Sequence, residues 1–426
     1  MKLLTLFFLF IFSLKFSAQQ YGKELDRYFT ALTNLKNFNG NVKIAKNNTI
    51  LLDKTYNIPH EDKALKVNRN SKFIIASVSK IFVKYGILKL AEQGKIKLSD
   101  PLNLYIRDFP NGEKISIENL LFHQSGLPRE IKDYEKYDHL SLDKIIELAR
   151  QEALQFEPGT QTLYSNVGYF ILHYIIGKVS DKGYWDFIQT EIIKKYQLKN
   201  TGEFNSAQSL SDFAYGFSGE NGKITPVPQN NINRFETGNY FSTTDDLYNF
   251  SKQLISGKHL RKDLILTMFG NNSQLIQAGG RPGYRAYYYQ DLKSGITFIF
   301  TSNFTDIPFQ KVTEDIINLL NGQPYQIPQK INKKAIEVPD EILKQYTGKF
   351  ALEADQSQVF TVILEDHFLY ILDKDGEKTK IYPESQHSFF DNPESEDGYQ
   401  FLSDNNHQYH LIIISTGVRL KTKRVQ

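Results

Sequence analysis

The chain has 426 residues, 40% hydrophobic and 13% aromatic, with a formal charge of +3. This length suits one large domain plus a smaller one, with apolar residues enough for a substantial core. The near-neutral charge, without basic blocks, excludes a nucleic-acid footprint. The absence of cysteine excludes disulfides, thiolate catalysis and cysteine-ligated zinc.

The chain opens "MKLLTLFFLFIFSLKFSAQQ". Lys2 supplies a positive start, Leu3 to Leu14 an apolar stretch, and Ser17-Ala18 a small-residue exit, which predicts a secretory signal cut after Ala18. A membrane anchor needs roughly 20 apolar residues, and Lys15 interrupts this run. Export to a periplasm or the exterior follows, with no lipid-modified cysteine and no integral membrane segment once the signal is removed.

"NGNVKIAKNNTILLDKTY" reads as a hairpin turning at Asn47-Asn48. "KFIIA" reads as a short strand leading into Ser77, after which Ile81, Phe82, Tyr85, Leu88 and Leu90 recur with helical spacing until Gly94. "SIENLLFHQSG" and "SLDKIIELAR" predict short helices, "NVGYFILHYIIGKVS" an apolar helix ending at Gly177, and "STTDDLYNFSKQLI" a capped one. Strand character returns at "YRAYYYQ" and "ITFIFTSN", and "TEDIINLLNG" reads as a helix stopped by Gly322. Strands at both ends of a helical middle predict a sheet completed by the two extremities, with an inserted helical lobe. "QPYQIPQKINKKAIEV" begins a linker over 323–345. From Tyr346, "TVILEDHFLYILD", "YQFLSD" and "YHLIIIS" alternate between polar turns and predict a small β domain over 346–426.

The candidate chemistry begins at "ASVSKIFVKY", with Ser77 and Lys80 three residues apart. Ser-x-x-Lys arises by chance about once or twice in a chain of this length, so its placement carries the weight. Ser77 falls where a strand gives way to a helix, near the positive end of the dipole. Residues three apart share a helix face, so the Lys80 amine can reach the Ser77 hydroxyl and act as its base. "YSN", Tyr164 to Asn166, offers a phenol that can shuttle a proton and an amide that can hold a lysine or a carbonyl. "QAGGRPGY" offers small residues against which a substrate could lie. Each also has a plain reading: a capping serine with a solvated lysine, a tyrosine sealing an apolar seam, a loop.

In this order, with "HQSGLP", "FEPGTQTLYSN" and "TTDDL" around them, these motifs resemble the serine β-lactamase and penicillin-binding protein superfamily. The likeness is to class C β-lactamases, D-alanyl-D-alanine carboxypeptidases and related esterases, and covers roughly residues 36 to 320. It implies an α+β fold, an antiparallel sheet flanked by helices with an inserted helical lobe. The catalytic domain would run over 19–322, followed by a small β-barrel-like domain. It also implies that Ser77 is the nucleophile, Lys80 its base or proton relay, Tyr164 a second proton-transfer group, and Asn166 a residue orienting Lys80 and substrate. The backbone N–H groups of Ser77 and Gly280, after Gln277-Ala278-Gly279, would form the oxyanion hole.

Gln277 departs from the family pattern, which has lysine or histidine there. A neutral amide neither pairs with a substrate carboxylate nor offers positive potential. Arg281, expected in a loop before Pro282, and Arg285 are the cations that could replace it. The expectation is an exported serine hydrolase acting on a small-molecule or peptide-like ester or amide, without cofactor or metal. The alternatives are a carboxypeptidase or β-lactamase, and a binding protein that kept the fold without turnover. His123 is expected to be a structural hydrogen-bonding residue, and Asp245-Asp246 a helix cap. "AGGRPG" is not a phosphate loop, since no Lys-Ser/Thr follows it.

Overall fold

The computed structural model describes residues 2–204, 209–219, 223–228, 235, 238–353, 356, 358–395, 397–404, 408–415 and 418–425. The chain divides into two compact units, Met1–Asp306 and Ile307–Gln426.

The first unit opens with helix α1 (Lys2–Asn34), continuous through Ala18, whose later turns bury Leu25, Tyr28, Phe29 and Leu32. No helix among the described residues is long and apolar enough to cross a membrane. Strands β1 (Gly40–Lys46) and β2 (Thr49–Tyr56) form the expected hairpin. Its turn residues Asn47 and Asn48 both take left-handed φ, 49° and 64°, which asparagine tolerates in tight hairpin turns. The expected strand at "KFIIA" is shorter than its apolar run, with Phe73–Ile74 (β3) paired to Phe241–Ser242. A single 3-10 turn, Ala76–Ser79, leads into α2 (Lys80–Glu92).

Helix α2 buries residues on every side, from Lys80 and Ile81 to Leu88 and Leu90, the mark of a helix at the centre of its domain. It stops at Gly94, φ 70°, where the Lys95 N–H closes back onto the Leu90 carbonyl. Around it stand α3 (Ile117–Leu121), α4 (Leu142–Ala149), α5 (Asn166–Ser180) and α6 (Tyr184–Ile188), which form the inserted lobe. Short strands β4 (Gly202–Glu203), β5 (Phe217–Ser218), β6 (Thr225–Pro226) and β7 (Tyr240–Ser242) lead to helices α7 (Thr244–Ile255) and α8 (Lys262–Phe269). Thr243 caps α7. Asp246 accepts from the Asn200 N–H and the Thr201 hydroxyl, while Asp245 pairs with Lys43 and Arg69.

Strands β8 (Gln274–Arg281), β9 (Tyr284–Asp291) and β10 (Ile296–Ser302) complete a five-stranded antiparallel sheet, ordered β2-β1-β10-β9-β8. The first and last strands of the unit therefore meet at its centre, as the sequence predicts. Alternation along β10 serves two faces. Phe298 and Phe300 meet Phe29 and Phe38 on one side, and Ile299 joins the core of α2 and its neighbours on the other.

In the second unit, helices α9 (Phe309–Leu320) and α10 (Asp340–Leu343) precede eight antiparallel strands. These are β11 (Gly348–Leu352), β12 (Val359–Glu365), β13 (Phe368–Leu372), β14 (Lys378–Pro383), β15 (Ser388–Phe390), β16 (Gly398–Ser403), β17 (Tyr409–Ser415) and β18 (Val418–Val425). Pairing of β11 with β18 closes them into a barrel, which leaves no edge strand open to aggregation. Its interior holds Phe350, Val362, Leu369, Ile381, Phe389 and Leu411 around Tyr346. The Tyr346 ring lies flat on Phe401 at 4.4 Å, and its hydroxyl donates to the Gln386 carbonyl at 3.0 Å. Tyr346→Ala should therefore destabilise this unit by about 3–5 kcal/mol, read as an earlier denaturant midpoint and faster proteolysis between residues 340 and 426.

Candidate active site

The turn that carries Ser77 begins with backbone strain. Ala76 has φ 44°, a left-handed conformation that side chains with a Cβ rarely adopt and that costs on the order of 1 kcal/mol. It redirects the chain from β3 into the 76–79 turn, after which the Lys80 N–H donates to the carbonyls of Ser77 and Val78. The Lys80 side chain is 8% exposed. Its Nζ lies 3.2 Å from Ser77 Oγ, 5.2 Å from the ring centre of Tyr164 and 5.4 Å from that of Tyr169. Among the described residues no carboxylate is within ion-pair distance of this lysine. The ring faces and the serine oxygen take that place.

Tyr164 and Asn166 are held by a second segment that the sequence leaves as a loop. The Leu163 N–H donates to the His123 carbonyl at 2.8 Å, and the Ser165 N–H to His123 Nδ1 at 3.1 Å. Ser165 Oγ donates to the Pro128 carbonyl and accepts from the Gly168 N–H, so it caps α5 and ties the two segments together. The Asn166 N–H donates to the Arg129 carbonyl at 2.8 Å, and Asn166 Nδ2 donates to Glu130. Asn166 thus spends its described side-chain bond on Glu130 rather than on Lys80. Burial holds the Glu130 carboxyl above its ordinary range, against the Asn166 hydrogen bond and the Arg129 charge.

His123 is structural, as expected. Its ring stacks on Tyr164 at 4.5 Å and on Tyr169 at 5.0 Å. Burial, with the charges of Lys80 and Lys84, pushes it down to about 4, so it stays neutral and accepts the Ser165 N–H.

Strand β8 is the sheet's edge and packs against the 76–79 turn. A Cβ on Gly279 would lie 2.2 Å from the Ile75 carbonyl, so only glycine lets the strand come this close. That contact sets the backbone of Gly279 against Ile75 and Val78, which flank Ser77 in the chain. "QAGGR" is strand throughout, and Arg281 is the last residue of β8 rather than part of a loop, paired in register with Tyr284. The period of two puts Gln277, Gly279 and Arg281 on one face, with Arg281 about 13 Å beyond Gln277. Gln277 Nε2 donates to the Ala278 carbonyl at 3.4 Å. Arg285 lies on the opposite face beside Gly280, donating to the Arg281 and Tyr284 carbonyls. Burial pulls both guanidiniums below their ordinary range. A separate cleft of about 620 Å³, lined by Tyr174, Tyr184, Trp185 and Asp186, includes none of these residues.

The Beta-lactamase family profile matches residues 25–320. The chain belongs to that family of serine hydrolases. It is similar to penicillin-binding protein 4* of Bacillus subtilis (strain 168), 27% identical across 87% of this chain and 92% of that one. It is 30% identical to putative penicillin-binding protein PbpX of the same organism across 52% of this chain, and the match spans 56% of that relative's length. Among solved structures it resembles the octameric penicillin-binding protein homologue from Pyrococcus abyssi. The TM-score is 0.63 at 20% identity, over 94% of this chain and 99% of that one.

Three contributors to the site escape sequence reasoning. Glu130 lies in an unmarked loop, Tyr169 reads as one more apolar residue of α5, and the strain at Ala76 has no signature in an alanine. The Ser-Gly break at 125–126 was the one available hint that this loop turns back toward Tyr164.

A histidine held neutral by the fold makes stability depend on pH. Its stability contribution is fully present above the ordinary value of about 6.5 and falls as pH drops through about 4, a loss of roughly 3 kcal/mol. His173, buried on α5, is pushed down to about 3 for the same reason. His123→Phe, which keeps a ring between the two tyrosines, should flatten the fall in melting temperature between pH 7 and pH 4. Differential scanning calorimetry across that range checks this.

Proposed function

We propose that the protein is an exported serine hydrolase that cleaves neutral esters or small amides through an acyl-enzyme on Ser77. The observation that carries the reading is the 3.2 Å approach of Lys80 Nζ to Ser77 Oγ, in a site where the lysine has no carboxylate partner among the described residues. With Nζ at hydrogen-bond distance and no carboxylate among the described residues competing for it, the amine is placed to take the serine proton.

The Oγ–H proton passes to Lys80 as Oγ bonds to the substrate carbonyl carbon. The oxygen left negative is held by the N–H groups of Ser77 and Gly280, each worth about 3 kcal/mol in comparable sites. Collapse breaks the bond to the leaving alcohol or amine, which departs with a proton passed through Tyr164. Water then attacks the acyl-serine and restores the hydroxyl. Asn166, fixed by Glu130, holds the segment bearing Tyr164 in register. Lys2, the apolar run to Leu14 and Ala18 support export.

The neutral Gln277 supports the preference for uncharged substrates. A second reading, a D-alanyl-D-alanine carboxypeptidase or β-lactamase, draws support from Arg281, which shares the strand face of Gln277 and could grip a carboxylate with two hydrogen bonds. The resemblance to penicillin-binding protein 4* points the same way.

A fluorophosphonate probe should label the wild-type protein, and Ser77→Ala should fold normally but lose both labelling and hydrolysis. Retained turnover in Ser77→Ala would rule out this mechanism, and a wild type that no probe labels would favour a binding protein. Gln277→Lys should shift specificity toward an anionic analogue by roughly ten- to a hundredfold, the worth of one charge-assisted hydrogen bond. Steady-state kinetics on one neutral ester and one anionic analogue, with Arg281→Ala alongside, decide the substrate class. A wild-type preference for the anionic compound that collapses in Arg281→Ala would establish the second reading.

A further inference from the structure

The cleft of about 620 Å³ is bounded by α5, by the first turns of α4 and α6, and by strand β4. Small-molecule sites typically enclose roughly 300 to 1,000 Å³, and none of the residues assigned to the serine chemistry lines this one. Two glycines give it shape. A Cβ on Gly177 would lie 3.1 Å from the Tyr184 nitrogen, so glycine lets α6 begin close against α5. Gly183, φ 75°, turns the chain into α6, and a Cβ there would meet nothing within 4 Å.

The aromatic part of the lining is fixed from behind. Tyr184 is buried, and its hydroxyl is hydrogen-bonded to that of Tyr240 on β7. Trp185 meets the Tyr240 ring edge-to-face at 5.2 Å and is itself half-buried. Glu203 pairs in register with Tyr240, and cross-strand partners carry their side chains on the same face of the sheet. Burial, and next to it the Glu203 charge, holds the Tyr240 hydroxyl well above its ordinary range. One buried tyrosine therefore backs both an indole and a carboxylate of the cleft.

Charge around these rings is unbalanced. Asp143, in the first turn of α4, and Asp186, in the first turn of α6, join Glu203 as acids of the lining. Among the described residues no cation is within ion-pair distance of Asp143 or Asp186, and the adjacent Lys144 pairs with Glu147 instead. Two lysines also reach the lining. Lys178 is engaged by the Tyr105 carbonyl at 2.8 Å, outside the cleft, and Lys182 is exposed to solvent.

We infer that this cleft binds an organic cation, an ammonium on an aromatic or alkyl body, with the body against Trp185 and the charge toward the carboxylates. Ring faces attract an ammonium within about 6 Å of their centres, and the excess of acids supplies the counter-charge. A neutral ligand would use the rings and leave the acids unanswered. An anion would be repelled by them.

Trp185 is the only tryptophan in the chain, so tryptophan fluorescence of the whole protein reports on the cleft. The signal is titrated with phenethylammonium, 2-phenylethanol and 3-phenylpropionate, which share a ring and differ in charge, and with methyl glucoside. Phenethylammonium should saturate the signal about tenfold more tightly than the alcohol, with the anion weakest. Asp186→Asn and Glu203→Gln should each weaken the cation roughly three- to tenfold and leave the alcohol within about twofold. Lys182→Met should tighten the cation, and Ser77→Ala should bind it as wild type does. By calorimetry, Trp185→Leu should lose most of the binding. Equal affinity for cation and alcohol, or tighter binding of the glucoside than of either, would overturn the inference. Cation affinity unchanged in both acid variants would do the same, and so would its loss in Ser77→Ala, which would move the ligand to the serine site.

Discussion

A lysine ammonium buried at the start of the central helix sets the terms for the first unit. Lys80 is 8% exposed, and an isolated charge in such a place costs several kcal/mol unless polar or aromatic groups replace its water. Here the replacement is the Ser77 oxygen together with the faces of Tyr164 and Tyr169. A carboxylate in their place would hold the ammonium charged and unreactive. Ring faces stabilise the charge more weakly and leave Nζ within reach of the Ser77 oxygen. Burial, with the neighbouring Lys80 and Lys84 charges, keeps His123 neutral in the same stack.

Holding two tyrosines over one lysine requires two chain segments to keep register. Tyr169 is fixed because α5 is an apolar helix packed on α2 and α3. Tyr164 lies before the helix cap, where the backbone has no helical partners of its own. The hydrogen bonds from residues 163–166 to residues 123–130 supply them. On the far side of Ser77, the contact between Gly279 and the Ile75 carbonyl sets how closely the sheet edge approaches. The lobe thus positions the two tyrosines, and the sheet edge brings Gly279 against the turn that carries Ser77. Ser77 lies where the two meet.

The second unit solves a different problem. Eight short strands with alternating burial could expose two edges, and closure between β11 and β18 removes both. Tyr346 reaches its core from the turn before the first strand and satisfies its hydroxyl on the 386–387 loop.

The sequence by itself determined much of this. Apolar periodicity located α2, α5 and the β10 strand, because burial selects side chains at the repeat of each element. The asparagine pair located the β1–β2 turn, because few residues accept two left-handed positions in succession. Ser-x-x-Lys and Tyr-x-Asn, in order, pointed to the family and singled out four residues, of which Ser77, Lys80 and Tyr164 lie together. Tertiary structure alone decided the rest. Arg281 looked like loop because Gly279, Gly280 and Pro282 around it have low strand propensity, and pairing with β9 overrides that preference. Nothing local marks Glu130 as the partner of Asn166, 36 residues away, or Lys84 as a half-buried cation rather than one of many surface lysines. Spacing along a chain reports which face of its own helix or strand a residue shares. What lies opposite that face, and how much water remains there, is set only when separate segments pack together.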